Sequence, residues 1–480
     1  MTPVPGPGSA SGAGERGLLI WWGAVAGVFS IGAVMLVAFR AHFAYEQPLA
    51  QIPTRELFSG LFLCGLVYLS LLALVPRSET LTATLQKRLL AGILVVGLGL
   101  RLVLLASEPA LEDDFHRYLW DGAVTANGLT PYRYAPDDSG AIGTPDRFDQ
   151  LAEAAGQVHD RINHPDLRTI YPPVAQAAFA VAYLLAPFDL AAWRLVCLAG
   201  EVATAGLILA LLNVSGRSAL WIALYWWNPL IIKEMVNSAH MEAILMPLVT
   251  AAVLLVVKER PRASAVALGL AIGTKIWPVI LAPILYRHLT DRPAALLAVG
   301  AILAGLGALS SLPILLAGLD QTSGFLAYAT HWQTNSALTP ALTGLLTAAA
   351  VTIGLDSAAA GPVARGLMGL VLLAVVLRLA FRPERRPVDI AGRVAVATTA
   401  LVVLSPAQFP WYLAWAAPFL AVRPLLGMAL ASALLPAYYA SFHFIASGTY
   451  SAYRDGWVWV VWLPVWAGLG WDAWQGRRAH

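Results

Sequence analysis

An all-α, polytopic integral membrane bundle is the fold this sequence predicts, and three observations predict it. Of 480 residues, 58% are hydrophobic and 12% charged, with a mean hydropathy of +0.67, a composition far from that of soluble domains. Apolar runs long enough to cross about 30 Å of hydrocarbon recur along the chain. Lys and Arg gather in the short connections between those runs, as topology signals do, and the net charge is only +3. No polybasic tract implies a nucleic-acid partner, so the bilayer is the expected one.

Residues 1–16, which open MTPVPGPGSASGAG, read as a flexible cytoplasmic tail, and 17–480 as a single transmembrane domain. Apolar runs come first at 17–39, 57–76 and 89–107. Arg77, Lys87 and Arg88 against Glu79 place the connection between the second and third in the cytoplasm, so the loop 108–170 lies outside. Twelve Asp or Glu against five Arg and no Lys in that loop agree with that side.

Further apolar runs follow at 171–187, 190–213, 218–233, 240–257, 263–286, 293–317, 340–355, 363–381, 392–404, 411–422, 425–445 and 456–474, and the bundle is expected to hold about 11–14 of them. Were every run to cross, the basic connection Lys258–Arg262 would lie outside, against the charge rule. The run 171–187, bracketed by Pro172, Pro173 and Pro187, is therefore expected to dip in from the outer face and return, which a protein-lined cavity permits. The choice at 263–286 is between a bent hairpin around Lys275-Ile276-Trp277-Pro278 and a single crossing that sends loop 318–339 to the cytoplasm; 340–355 shares the ambiguity. Arg287 and Arg292, against a 318–339 loop free of Lys and Arg, favour the hairpin. Trp21-Trp22, Trp226-Trp227 and the Trp cluster at 457–474 read as interfacial belts. Cys64 and Cys197, both inside apolar runs, read as small buried hydrophobes rather than a disulfide or metal ligands.

The loop 108–170 concentrates the candidate chemistry. Glu112-Asp113-Asp114 opens a helix that carries Phe115, Leu119 and Ala123 on one stripe and Asp114, Arg117 and Asp121 on another. It ends at Asn127-Gly128 and is expected to lie amphipathically on the outer membrane surface. A carboxylate at that water boundary suits a general base for a hydroxyl delivered from outside, while a helix N-cap is the plainer use of Asp113 or Asp114. Lys233, Glu234, His240 and Glu242 flank the junction of two spans, and Lys275 sits inside an apolar run. An ion there costs about 2.5–3.5 kcal/mol on insertion scales, so such groups line polar cavities or substrate paths; the plainer reading of Lys233 is snorkelling to the interface. No partner spacing makes His240 a metal ligand, and no metal site is expected. Glu201 is expected to pair with Arg194.

The order of Asp113-Asp114, Gly128-Leu129-Thr130-Pro131-Tyr132, Tyr171-Pro172-Pro173, Asn228-Pro229, Lys275-Ile276-Trp277-Pro278 and Gln408-Phe409-Pro410-Trp411-Tyr412 resembles the GT-C glycosyltransferases. Most similar are the bacterial polyprenyl-phosphomannose-dependent mannosyltransferases and the eukaryotic relatives that add the first mannose to the GPI anchor. The likeness runs from about 111 to 420. It implies a GT-C-like bundle with juxtamembrane helices in an extracytoplasmic catalytic loop. It further implies that a sugar, mannose by analogy, moves with inversion from a polyprenyl-phosphate to a hydroxyl of a glycan or glycolipid, with Asp113 or Asp114 as the base. The two acids are adjacent here, where the family often separates them by one residue, and two extra spans precede the loop.

Physical chemistry points the same way. An outer-face site has no nucleotide sugars at hand, and the chain has no strand–Gly-loop–helix unit to bind one, so the sugar arrives on a lipid. Its phosphate calls for cations, for which Arg117, Arg168, Lys233, His240 and Lys275 are the candidates, with Tyr171 beside them. No cofactor is expected beyond the lipid-linked sugar as co-substrate, and the sequence lends a divalent cation no support. The expected place is a bacterial plasma membrane with the site on its extracytoplasmic face. The rival class is a transporter or flippase that uses the same buried charges as a path; it predicts internal pseudo-symmetry, which the sequence does not show.

Overall fold

The computed structural model describes residues 12–478 apart from 384, 385 and 387. Positions 1–11 of the expected tail lie outside the described residues, while Gly12 to Arg16 already belong to the first helix. Every regular element among the described residues is helical, and the β features are isolated bridges at Arg168–Ser323 and Thr334–Ala407. Among the described residues, six helices are long and apolar enough to cross a membrane. The all-α polytopic class follows.

The first passes are α1 (Gly12–Ala38), α2 (Thr54–Leu69) continued by α3 (Leu71–Ser78), and α4 (Ala83–Leu104). Trp22 donates to Ser78 at one end of this group, and Arg40 donates to the Ala106 carbonyl at the other. The acidic loop emerges at that second end. It folds into α5 (Asp114–Ala126), α6 (Asp146–Ala155) and the single turn α7 (Gln157–Asp160).

Contrary to the surface placement expected for it, α5 is buried on all sides from Phe115 to Val124. Its apolar stripe meets α8 (Pro173–Leu185), and a Cβ on Gly122 would stand 2.4 Å from the Phe179 carbonyl oxygen, so only glycine allows the approach. Trp120 and Val124 pack instead with Phe148, Leu151 and Ile162 of the loop. A strip of polar residues between apolar ones is thus covered by protein rather than water.

With 13 residues, about 20 Å, α8 is too short to cross. It starts beside the acidic loop, where Val174 N–H donates to the Gly273 carbonyl. The next helix, α9 (Leu190–Val214), begins at that same end, where Arg194 donates to the Ser107 and Asn237 carbonyls. Both ends of 171–187 thus lie at the acidic-loop end, as expected of a segment that does not cross.

After α9 the chain crosses back in pieces: a 3-10 turn at Ala219–Ile222, α10 (Ala223–Trp226), α11 (Pro229–Ile232) and a π turn at Lys233–Asn237. Pro229 interrupts the helix, and the Asn228 side chain accepts from the N–H groups of Leu230 and Ile231. Next come α12 (Glu242–Val257) and α13 (Pro261–Ile272), after which Gly273–Ile276 unwinds and a 3-10 turn leads into α14 (Ala282–Tyr286). The helix α15 (Pro293–Ala317) has 25 residues, about 37 Å, and the Ala317 carbonyl at its end accepts from Arg168 of the acidic loop. Arg287 and Arg292 therefore lie at the opposite end, and 263–286 is the bent hairpin.

Loop 318–339, with α16 (Gly324–His331), lies against the acidic loop. There α17 (Leu338–Thr352) follows, and α18 (Ala360–Phe381) starts near it, with Arg365 donating to the Trp332 carbonyl. The bundle closes with α19 (Asp389–Leu404), a 3-10 turn at Pro410–Trp415 with α20 (Ala417–Leu420), α21 (Leu426–Leu434), α22 (Ala437–Ala446), α23 (Tyr450–Ala452) and α24 (Val458–Arg478).

Two expectations about the interior need correction. Trp22, Trp226 and Trp227 are buried rather than interfacial; the indoles of Trp226 and Trp227 donate to the Leu94 and Ile93 carbonyls. Exposed Trp21, Trp471 and Trp474 fit the belt. Glu201 pairs not with Arg194 but with Arg101 of α4 at 2.8 Å, in a fully buried contact. Positions seven apart on one helix stand about 10 Å apart along its axis, whereas a neighbouring helix offers a guanidinium at bonding distance. Cys64 and Cys197 are free and buried, as expected.

Candidate active site

At the acidic-loop end the bundle holds a cavity of about 1150 Å³. Glu112, Asp113 and Asp114 line it, and Tyr118, Tyr171, Trp332, Trp411, Tyr412 and Trp415 wall it with aromatic faces. Asp113 stands at the N-cap of α5, yet neither its side chain nor that of Asp114 bonds the free N–H groups of the first turn. Capping is not what this pair does. Asn163 holds it, donating from Nδ2 to one oxygen of Asp113 and one of Asp114, each at 2.9 Å.

The second oxygen of Asp114 lies 3.4 Å from the Tyr118 hydroxyl and 3.8 Å from His240 Nδ1. Burial pushes both Asp carboxyls above their ordinary range, opposed at Asp113 by the Asn163 hydrogen bond and at Asp114 by the charge of His240. A carboxylate raised in this way and left partly unbonded is a better proton acceptor than a solvated one.

Behind the pair lies a buried ionic cluster. The Tyr439 hydroxyl meets Glu234 Oε1 at 2.6 Å and Glu112 Oε1 at 2.8 Å, and Lys233 Nζ bonds the same hydroxyl. The π turn brings Lys233 and Glu234 to this point, and Ala239, at φ +57°, turns the chain so that His240 enters beside them. The His240 ring stacks on Trp411 with centroids 3.9 Å apart, one layer behind the cavity wall.

Asp113, Asp114, Tyr171 and Lys275 line the cavity as candidates from the sequence; Arg117, Arg168 and Lys233 do not. Arg117 donates to Asp121 Oδ1 and to the Leu167 carbonyl, both at 2.9 Å. Arg168 is taken up by the Ala317 and Gly318 carbonyls and by Asp320. Lys233 is held in the ionic cluster. A guanidinium with several donors satisfied by backbone carbonyls serves the loop's architecture. Lys275 Nζ, by contrast, sits on the wall 2.6 Å from Glu242 Oε1 and above the rings of Tyr412 and Trp415. Arg161 and His164 join it there; no motif in the sequence singles out these two or Asn163.

An apolar cleft of about 640 Å³ runs between α1, α2 and α4, lined by Phe29, Leu36, Leu61 and Leu104, and shares Phe43 with the acidic cavity. Carboxylates under aromatic walls, beside an apolar cleft, define a candidate site within the helical bundle.

The comparisons with known proteins agree. Residues 17–291 match the family described as alpha-(1->6)-mannopyranosyltransferase, N-terminal domain, and residues 339–469 match the MptB C-terminal domain. This chain belongs to the alpha-(1->6)-mannopyranosyltransferase family. It is 26% identical over 366 residues to alpha-(1->6)-mannopyranosyltransferase A of Mycobacterium tuberculosis (strain ATCC 25618 / H37Rv), an alignment that covers 67% of this chain. The chain spans 63% of that relative's length. No solved structure matches it.

Proposed function

We propose that this protein is a membrane mannosyltransferase that moves mannose from a polyprenyl-phosphate to a hydroxyl of a glycan or glycolipid acceptor, on the extracytoplasmic face of the plasma membrane. The observation that carries the reading is the Asp113–Asp114 pair, clamped by Asn163 at the base of an aromatic-walled cavity. The family supplies the sugar, and the relative's name supplies the α-(1→6) linkage.

In the inverting displacement, one of the two Asp carboxylates takes the acceptor proton as that oxygen forms its bond to C1 of mannose. The bond from C1 to the phosphate oxygen breaks, and polyprenyl phosphate leaves with the electron pair. Lys275 faces the cavity beside the aromatic wall and carries the charge to meet that phosphate. The apolar cleft that meets the cavity at Phe43 suits the isoprenoid chain. The family match favours transfer over the transporter reading.

The test uses the purified full-length chain in lipid nanodiscs with polyprenyl-phosphate mannose and α-mannoside acceptors. Asp113→Asn and Asp114→Asn keep the shape and the Asn163 contact but lose basicity. The responsible one lowers kcat by about 10²–10⁴-fold with the melting temperature unchanged. Wild-type turnover in both single variants would remove the pair from the chemistry. Transfer from a nucleotide sugar but not from the polyprenyl donor would reject the lipid-linked substrate.

A further inference from the structure

We propose that Glu112, Glu234 and His240 form a site for one divalent, zinc-like cation behind the carboxylate pair. The three side chains bring ligand atoms within 4.8 Å of one another. His240 Nε2 stands 3.4 Å from Glu234 Oε2 and 3.6 Å from Glu112 Oε2. Those separations are too long for charge-assisted hydrogen bonds, which close to about 2.7–2.9 Å. They match the edge of a tetrahedron around zinc, which for metal–ligand bonds of about 2.0–2.2 Å is about 3.3–3.6 Å.

Second, the atoms aimed at this point have nothing else to bind. Glu234 Oε2 and His240 Nε2 belong to side chains with no exposure, and neither has a hydrogen-bond partner among the described residues. Buried polar atoms are ordinarily satisfied, so two orphans facing each other across 3.4 Å call for a bridging group.

Third, the surrounding groups hold the ligands as a metal site requires. Tyr439 and Lys233 occupy the Oε1 atoms of both Glu residues, Lys233 at 3.4 Å from Glu234 and 3.8 Å from Glu112, and leave both Oε2 atoms turned to His240. Trp411 fixes the plane of the imidazole. On its other side the imidazole turns Nδ1 toward Asp114 Oδ2, 3.8 Å away and beyond hydrogen-bond reach. Two carboxylates and one imidazole suit a borderline first-row cation better than calcium or magnesium, which prefer oxygen alone. Glu112 also lines the cavity, which leaves a fourth position for water. The cation would thus sit one imidazole away from Asp114 and hold that side chain's neighbour in place.

The site is tested by binding, with no donor or acceptor present. Purified full-length protein, stripped with chelator and dialysed against Zn²⁺, is assayed for bound metal by mass spectrometry, and Co²⁺ is titrated while its visible absorption is followed. Wild type should take up one equivalent, and the low-symmetry Co²⁺ bands should appear. His240→Ala and Glu234→Gln should each bind at least tenfold more weakly. Should H240A fail to fold, E234Q gives the same reading, since it keeps the side-chain volume and its contact with Tyr439. D114N should still bind one equivalent, so loss of the proposed catalysis and loss of the cation site are told apart. No uptake by wild type, or equal uptake by H240A and E234Q, would overturn the site and leave His240 as a charged partner of the two Glu residues.

Discussion

Lys275 and Glu242 meet at 2.6 Å on the cavity wall, and the second oxygen of Glu242 is buried without a hydrogen-bond partner among the described residues. Removing the ammonium therefore does two things at once: it strips the cavity of a cation and leaves a buried carboxylate unpaired. Lys275→Gln should weaken donor binding about tenfold or more and also lower stability by on the order of 2 kcal/mol, less than a fully buried pair because Lys275 is partly exposed. The double variant Glu242→Gln/Lys275→Gln should recover the melting temperature but not the donor affinity. Wild-type donor KM in the double variant would end the phosphate role of Lys275. A Lys275 that merely snorkelled to an interface would tolerate Gln, and the Glu242 pairing speaks against that role.

At the scale of elements, the contact between α5 and α8 places the acidic pair. It depends on a side chain that is absent at Gly122, where a Cβ would approach the Phe179 carbonyl carbon and oxygen to 2.7 and 2.4 Å. Backbone cannot yield as a flexible side-chain tip can. Gly122→Ala should thus cost about 1–3 kcal/mol and raise hydrogen exchange along Asp114–Ala126, with activity falling as the pair moves from Asn163. An unchanged exchange pattern would mean that α5 lies loosely on the surface, as its amphipathic pattern alone implies. Continuous apolar periodicity made α1, α9 and α15 readable in advance. The pieces at 219–237 and 410–420 read only as apolar runs, because Pro229 and Pro410 break them and, at Pro229, the Asn228 side-chain cap decides where the short helix starts.

For the whole molecule, the charge rule predicts the acidic loop outside and the basic turns on the other face. Ile142 at the tip of the loop is fully exposed, and Glu259 is exposed at the opposite end. Cys64 and Cys197 are buried and give little background. Ile142→Cys should react with an impermeant maleimide in intact cells, and Glu259→Cys only after lysis. The reverse pattern would place the cavity in the cytoplasm and remove the argument for a lipid-linked donor.

Composition and charge distribution by themselves determined the helical membrane class, and they favoured a non-crossing 171–187 and a hairpin at 263–286. Each of these follows from the cost of placing charge and free backbone in hydrocarbon, a cost that depends on residue type and order alone. The adjacency of Asp113 and Asp114 made the acidic pair visible for the same reason: neighbours in sequence are neighbours in space. Tertiary structure alone decided that Arg117 and Arg168 serve the loop's carbonyls while Lys275 faces the cavity. It alone brought Asn163 to the pair, and Glu112 to Glu234 and His240. Burial of apolar surface is non-directional and says which stripe is covered, whereas a hydrogen bond or a ligand set needs atoms placed within a few tenths of an ångström by remote segments.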